Sequence, residues 1–149
     1  MQLSADLREF IGLLNSGDVE YVIVGAHSLA YHGRPRYTGD LDILVRPSPA
    51  NASKVAAVLR DFGFADLVEE ADLIKPEQIL QLGRAPNRID LLTSLSGVGV
   101  DEIFETKIST QLDDLPVPVL SKELLIRNKR AVGRPQDLAD VTELERAHS

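Results

Sequence analysis

Short apolar segments alternate with helix-forming segments along this chain, and this alternation restricts the fold more than any other feature. Helical spacing of apolar residues, or a capping residue before helix formers, predicts six helices: 3–14, 27–32, 51–62, 101–105, 121–132 and 136–146. Five short segments have the composition of strands: 21–24, 41–45, 78–82, 88–92 and 117–120. The order αβαβαββαβαα predicts an α/β or α+β fold, with helices packed on a small sheet.

Two local features refine this organisation. The strand predicted over 117–120 contains Pro118, and proline cannot donate a hydrogen bond to a neighbouring strand, so we expect this strand at an edge of the sheet. Asn51 is expected to cap the helix that follows it. The 149 residues fit one domain, with the sheet core in 1–120 and a helical segment in 121–149.

Composition excludes several classes of protein. The chain has no cysteine, which excludes disulfide frameworks, thiolate-bound zinc and iron–sulfur clusters. Its net charge of −7 disfavours a protein that coats nucleic acid, because such binding depends on Lys and Arg neutralising phosphates. No apolar run approaches the ~18 residues needed to cross a bilayer, and the first residues do not form a signal peptide. We therefore expect a cytoplasmic protein with no membrane partner.

Two aspartates stand at the start of an otherwise apolar strand. Asp40 and Asp42 flank Leu41, and residues two apart point to the same face of a strand. Carboxylates ~6 Å apart repel by roughly 3 kcal/mol at an effective dielectric constant near 20. A divalent cation removes that repulsion, and Mg²⁺ prefers carboxylate and phosphate oxygens. The pair therefore indicates a site for a hard metal ion.

A third aspartate repeats the pattern. Asp90 interrupts the apolar strand 88–92, and a position next to the first strand would bring it to the same metal ions. Three carboxylates on adjacent strands can hold two metal ions that activate a hydroxyl and neutralise a leaving phosphate.

A glycine closes the strand 21–24 just before a predicted helix. Gly25 would let phosphates approach the backbone N–H groups at the start of that helix, and Ser28 could add a hydroxyl donor. Arg34, Arg36 and Thr38 follow in a loop before the aspartate strand. These residues either contact phosphates, for which the arginine fork is suited, or pair with nearby acids.

These motifs together resemble the nucleotidyltransferase superfamily of the DNA polymerase β type. More narrowly, residues 24–43, Val-Gly-Ala-His-Ser-Leu-Ala-Tyr-His-Gly-Arg-Pro-Arg-Tyr-Thr-Gly-Asp-Leu-Asp-Ile, resemble small bacterial members related to the AbiE-system toxin. The ending, with Lys129, Arg134, Asp137 and Asp140, is also similar to that group. The resemblance covers most of the chain and is loose over residues 63–82.

The resemblance implies a minimal nucleotidyltransferase fold, with a small mixed sheet, flanking helices and C-terminal helices. It also implies transfer of a nucleoside monophosphate from an NTP to a hydroxyl. Asp40, Asp42 and Asp90 would be the catalytic residues and would ligate Mg²⁺ or Mn²⁺, with Asp90 as the base or base-orienting group. The nucleotide would be bound by Gly25, Ala26, Ser28, Arg36, Thr38 and Lys129.

The acceptor stays open at this point. It could be RNA (tRNA included), a protein side chain or a small molecule, and the resemblance also suggests a toxin with a cognate antitoxin. Asp137 and Asp140 match acidic positions of the terminal motif, without an assigned role.

Two other functions remain compatible with the sequence. Ala26 stands where the superfamily usually has Gly or Ser, which suggests a module that binds nucleotide or a partner without turnover. The same three acids would also serve a metal-dependent phosphodiester hydrolase, which would cleave nucleic acid with Mg²⁺ and no NTP.

Overall fold

The computed structural model describes residues 3–33, 40–64, 68–83 and 88–146, and the statements below concern these residues. The helices are α1 Ala5–Ser16, α2 Gly25–Tyr31, α3 Pro49–Phe62, α4 Val100–Thr106, α5 Lys122–Val132 and α6 Pro135–Arg146. The strands are β1 Tyr21–Val24, β2 Leu41–Val45, β3 Ile79–Leu82, β4 Ile89–Leu92, β5 Ile108–Leu112 and β6 Leu115–Val119. A 3₁₀ turn covers Glu70–Leu73. No described helix is long and apolar enough to cross a membrane.

The strands form one sheet in the order β3-β4-β2-β1-β6-β5. Strand β2 is parallel to β4, and β1 is parallel to β6, whereas the other neighbours are antiparallel. This mixed sheet with helices packed against it confirms the predicted α/β class. It also makes β2 and β4, the strands of the predicted metal site, direct neighbours.

The sheet has two buried faces, as the alternation of side chains along each strand requires. On β2, Leu41 and Ile43 belong to the core that contains α1 and α3 residues, whereas Leu44 belongs to the core beneath α4 and α5. Asp42 lies between Leu41 and Ile43 on β2, and Asp90 lies between Ile89 and Leu91 on β4, all four of which belong to the core beside α1 and α3. Because side chains alternate along a strand, the two aspartates face the side of α4 and α5. They lie where the helical cover of that face stops, beside an open cavity.

The expectation that residues 117–120 form an edge strand is wrong. Strand β6 lies between β1 and β5, and β5 was not predicted from the sequence. A tight turn joins β5 to β6, with Asp113 and Asp114 at φ 50° and 67°, the left-handed geometry of a two-residue hairpin.

The hairpin register explains why proline is tolerated inside this sheet. Pro116 and Pro118 occupy alternate positions of the ladder with β5, so their missing N–H groups lie on the β1 side. There, the pairing of β1 with β6 is confined to Ile23 and Val119.

The helix over 49–62 begins earlier than expected. Ser48 caps α3 by accepting a hydrogen bond from the N–H of Asn51, so the expectation that Asn51 is the cap is wrong. Asn51 is instead buried inside the helix, where its amide donates to the carbonyls of Glu20 and Arg46. The expectation failed because capping depends on where the helix begins, and Pro49 sets that start.

Candidate active site

Two of the three predicted aspartates stand directly opposite each other. Strands β2 and β4 pair in parallel with Asp42 beside Asp90, and Asp40 precedes β2 two residues before Asp42. Asp90 is 8% exposed. Thus neighbouring strand starts place three carboxyl groups at one end of the sheet.

An arginine that was not predicted as a site residue lies between these carboxylates. Arg88 Nη2 is 3.0 Å from Asp40 Oδ2, and its Nε is 3.3 Å from Asp90 Oδ1. It shares a face with Asp90 because the two are two residues apart on one extended segment. That i, i+2 spacing of Arg and Asp is the sequence signal that could have identified it.

The electrostatics of the group are set by crowding of like charges. Burial, followed by the charge of Asp90, a hydrogen bond with Asp90 and the charge of Asp40, raises the pKa of Asp42 to about 6. Arg88 opposes this shift. The Asp42 carboxyl group therefore retains a proton more readily than an isolated carboxyl group.

The donor chemistry of this group fits a hard divalent ion. All three side chains offer carboxylate oxygens, the ligands of Mg²⁺ and Mn²⁺. Asp90 Oδ1 is buried and, among the described residues, has the ion pair with Arg88 Nε but no hydrogen bond of good geometry. Within the described ranges, however, no three acidic or histidine side chains are arranged to hold a metal ion as they stand. The carboxylates would therefore have to rearrange to share an ion, and Arg88, which pairs with Asp40 and Asp90, would compete with that ion for their oxygens.

Gly25 is necessary for this arrangement for a reason that the sequence did not reveal. Val24 pairs with Asp42 across β1 and β2, and Gly25 follows with φ +66°. A Cβ atom at this position would lie 2.0 Å from Asp42 Oδ2, far inside van der Waals contact. The glycine therefore makes room for the Asp42 carboxylate and adopts a left-handed conformation that side chains disfavour.

The other residues that were expected to bind the nucleotide differ in burial and in hydrogen bonding. Ala26 is half-buried in the first turn of α2. Ser28 is completely buried, and its hydroxyl donates to the carbonyl of Gly25 over 2.8 Å, so in this conformation it stabilises the turn of α2. Arg34, Arg36 and Thr38 lie outside the described residues.

A second charged group joins α5 to α6. Lys129 Nζ lies 3.0 Å from Asp140 Oδ2 and 3.5 Å from Asp137 Oδ1. Asp137 also holds Arg134 through two side-chain contacts, from Nε at 2.7 Å and Nη2 at 3.2 Å, and this hydrogen bonding lowers the pKa of Asp137. Gln136 donates to the other oxygen of Asp140. The two aspartates therefore fix the positions of Lys129 and Arg134.

We expect Lys129→Met to lower the free energy of unfolding by about 3 kcal/mol, because it leaves the fully buried Asp140 without its cation. Adding Asp140→Asn should recover much of the loss. Urea unfolding measures both effects. The control is Arg130→Met, which removes an exposed pair with Glu145 and should change stability by less than about 1 kcal/mol. Equal losses in the two single variants would contradict the assignment.

One cavity of about 920 Å³ connects the two groups. Its sheet side includes Gly25 and the three aspartates, and its helix side includes Asn128, Lys129 and Arg134. The turn after β4 closes a further side and is clamped to α5, because Asn128 donates to the Ser96 carbonyl. Gly97 in this turn also lies close against α5, because a Cβ atom on it would be 2.5 Å from Ala131 Cβ.

Across this cavity the three carboxylates face Lys129 and Arg134, and the space between them is open to a ligand.

No protein-family model matches the sequence, and no curated protein matches it significantly. Solved structures do match. A protein of Thermotoga maritima assigned as a nucleotidyltransferase has a TM-score of 0.63 at 16% identity, over 94% of this chain and 90% of that one. The lincosamide antibiotic adenylyltransferase LnuA, with lincomycin bound, has a TM-score of 0.58 at 16% identity, over 97% and 98% of the two chains. The chain has the nucleotidyltransferase fold.

A third match extends this fold likeness. An antigenic nucleotidyltransferase-like protein of Paracoccidioides brasiliensis has a TM-score of 0.53 at 15% identity, over 95% of this chain and 77% of that one. The nucleotidyltransferase fold predicted from the resemblance is thus confirmed. At such low identities the likeness establishes the fold, and it does not reach the AbiE-related subgroup.

Proposed function

We propose that this protein is a nucleotidyltransferase that transfers a nucleoside monophosphate from an NTP to a hydroxyl group and releases pyrophosphate. The observation that carries the proposal is the position of Asp40, Asp42 and Asp90 at neighbouring strand starts, where all three line one cavity. Lys129 and Arg134 face them across the same cavity. The nucleotidyltransferase fold supports this assignment.

The aspartates account for the reacting end of the site. Mg²⁺ or Mn²⁺ held by Asp40, Asp42 and Asp90 would stabilise the entering and leaving oxygens. In the reaction, the acceptor oxygen forms a bond to the α-phosphorus as the bond to the pyrophosphate oxygen breaks. Asp90 is proposed to receive the hydroxyl proton. Its burial and its place beside Asp42 keep it oriented toward the cavity.

The helix side of the cavity accounts for the polyphosphate. Lys129, held by Asp140 and Asp137, is proposed to contact the outer phosphates. Arg134 uses Nε and Nη2 for Asp137, and Nη1 takes part in neither of these bonds. With its side chain 72% exposed, Arg134 can direct that group to a phosphate oxygen. Both cations would offset the charge that builds up on pyrophosphate.

The first acceptor that we propose is taken from the structural similarity to LnuA. LnuA, whose chain is spanned almost completely by this one, is an adenylyltransferase of a lincosamide antibiotic, so a small molecule and ATP are the first combination to test. RNA and protein acceptors are the other proposals. A toxin role with a cognate antitoxin is supported by the sequence resemblance to AbiE-related proteins.

The test is incubation of the protein with labelled NTPs, Mg²⁺ and separate cellular fractions of small molecules, RNA and protein. We expect label transfer by the unmodified protein and a loss of roughly a hundredfold or more in Asp90→Asn, because a ligand and the proton acceptor are removed together. Asp61→Asn, an exposed aspartate on α3, is the matched control. Equal labelling by the unmodified protein and Asp90→Asn would exclude the proposed site.

The same assay separates the alternatives. NTP binding without label transfer in any fraction would support the module that binds without turnover. Cleavage of nucleic acid by Mg²⁺ alone, lost in Asp90→Asn, would support the phosphodiester hydrolase.

A further inference from the structure

The face of the sheet that carries Asp90 continues into an exposed apolar surface. Leu92 lies two residues beyond Asp90 on β4, so the two side chains point to the same face. Ile79 of the edge strand β3 stands opposite Leu92, which places their Cβ atoms about 5 Å apart on that face. Both residues line the cavity that contains the aspartates, and Ile79 is 63% exposed. We refer to Ile79 and Leu92 as the apolar shelf.

The apolar shelf is a fixed part of the sheet. Immediately before Ile79, the N–H of Gln78 donates to the Thr93 hydroxyl over 2.9 Å, and the N–H of Thr93 donates to the Gln78 carbonyl over 3.1 Å. Leu80, which follows Ile79, packs against the core beside α1 and α3, so alternation directs Ile79 to the cavity. A single exposed isoleucine is common on protein surfaces. Two adjoining apolar side chains on the wall of a cavity are instead typical of a ligand site.

Charge is distributed unevenly around the cavity. The cations that face the aspartates, Lys129 and Arg134, are on the helix side. Next to Ile79 in the chain, the described lining residues are Pro76, Glu77 and Gln78, which include one acidic residue and no basic residue. A polyanion such as RNA needs lysine or arginine to neutralise its phosphates, and this segment supplies neither. This side of the cavity therefore favours a ligand without negative charge.

The proposed reaction determines which ligand meets the apolar shelf. The entering and leaving oxygens lie roughly in line through the α-phosphorus. Because Lys129 and Arg134 are assigned to the outer phosphates, the acceptor oxygen enters from the opposite side, beside Asp90 and the shelf. The cavity volume of about 920 Å³ is near the upper end of the range of roughly 300–1,000 Å³ for ligand pockets, so it has room for an acceptor beside the nucleotide.

We propose that Ile79 and Leu92 form an acceptor subsite, which binds the apolar part of a small molecule without negative charge and directs its hydroxyl group toward Asp90. This inference rests on the proposed function and narrows its acceptor class. The hydroxyl oxygen forms the bond to the α-phosphorus, its proton passes to Asp90, and the bond to the pyrophosphate oxygen breaks. The apolar shelf acts through the affinity for the acceptor and takes no part in bond formation.

The first test needs no turnover and uses cyclohexanol as the probe, because it joins one hydroxyl group to an apolar ring. Methyl NMR follows its titration into the protein, and we expect chemical shift changes at Ile79 and Leu92. Ile79→Thr keeps a β-branched side chain and removes apolar surface, so it should weaken cyclohexanol binding about tenfold. Ile74→Thr is the matched control, because Ile74 is also exposed and does not line the cavity. It should change the affinity by less than about twofold.

The second test separates the acceptor from the nucleotide. Isothermal titration calorimetry with ATP and Mg²⁺ should give affinities within about twofold of each other for the unmodified protein and Ile79→Thr, because the nucleotide is assigned to the other side of the cavity. In the labelled-NTP assay, the label should appear in the small-molecule fraction. Ile79→Thr should then need about tenfold more acceptor for half-maximal labelling.

Several outcomes would overturn the inference. Absence of shifts at Ile79 and Leu92 in the unmodified protein, or an equal loss of binding in Ile79→Thr and Ile74→Thr, would show that the apolar shelf is not a subsite. A tenfold loss of ATP affinity in Ile79→Thr would assign the shelf to the nucleotide. Label confined to RNA or protein would exclude a small-molecule acceptor. Absence of label transfer by the unmodified protein, with cyclohexanol bound at the shelf, would instead count against the proposed function.

Discussion

Replacing Asp42 by asparagine should abolish nucleotide transfer and, at the same time, make the metal-free protein more stable. Asparagine preserves the size of the side chain and removes one of the crowded negative charges. The loss of transfer should be on the order of a hundredfold or more, since even residues that only orient a metal ligand contribute 10- to 100-fold. Labelled-NTP transfer measures this effect.

The gain in stability follows from the raised pKa of Asp42. The pKa is about 6 in the folded protein against an ordinary value of 3.8, so the folded state binds the proton more tightly than the unfolded state. The favourable contribution of the protonated group is complete below pH 4 and is lost as pH rises through 6. At pH 7.5, removal of the charge should therefore raise the free energy of unfolding by up to roughly 3 kcal/mol.

Thermal unfolding across pH and with added Mg²⁺ measures this stability effect. The variant should exceed the unmodified protein in Tm at pH 7.5 without metal, and the difference should shrink toward pH 5. Mg²⁺ should stabilise only the unmodified protein. Burial lowers the pKa of His27 and of His32, which destabilises both proteins below about pH 6.5 and cancels in the difference. A lower Tm for Asp42→Asn without metal would contradict the crowding of charges described above.

Replacing Gly25 by alanine should damage both the fold and the site. The new Cβ would lie 2.0 Å from Asp42 Oδ2 at φ +66°. A left-handed conformation costs roughly 1–2 kcal/mol for a residue with a side chain, and forcing an extra group into a packed site adds about 1–3 kcal/mol. We expect a total loss of about 2–5 kcal/mol in the free energy of unfolding, together with displaced Asp42 and lost Mn²⁺ binding.

Gly63→Ala is the control that separates backbone strain from contact with Asp42. Gly63 ends α3 with φ +101°, and a Cβ atom added to it would have no atom of the described residues within 4 Å, so its substitution carries the conformational cost alone. Urea unfolding and calorimetric Mn²⁺ titration measure the two variants together. If Gly25→Ala destabilised the protein no more than Gly63→Ala and still bound Mn²⁺, the close approach of Gly25 to Asp42 would have no functional meaning.

Much of the candidate site could be predicted from local pattern. Side chains alternate between the two faces of a strand, so Leu41 and Ile43 in the core require Asp42 on the other face. The same rule applies to Asp90 between Ile89 and Leu91. Aspartates that interrupt short apolar strands can therefore be found in the sequence, and so can their position near the start of each strand.

The partners of those residues depended on tertiary structure. Local pattern does not determine which strands pair, because pairing minimises the free energy of the whole core, and so strand β5 and the interior position of β6 were missed. The contacts of Arg88 with two aspartates arise only once β4 lies beside β2. Likewise, Lys129 meets Asp140 only because α5 and α6 pack together.

The sequence by itself determined which residues carry charge toward one face of the sheet, because alternation is a property of the chain. Only the tertiary structure decided what each charge meets. It placed an arginine among the aspartates, buried the Ser28 hydroxyl inside α2, and brought Gly25 so close to Asp42 that no side chain fits. The physical reason is that such contacts join residues distant in sequence, whose separation is set by packing.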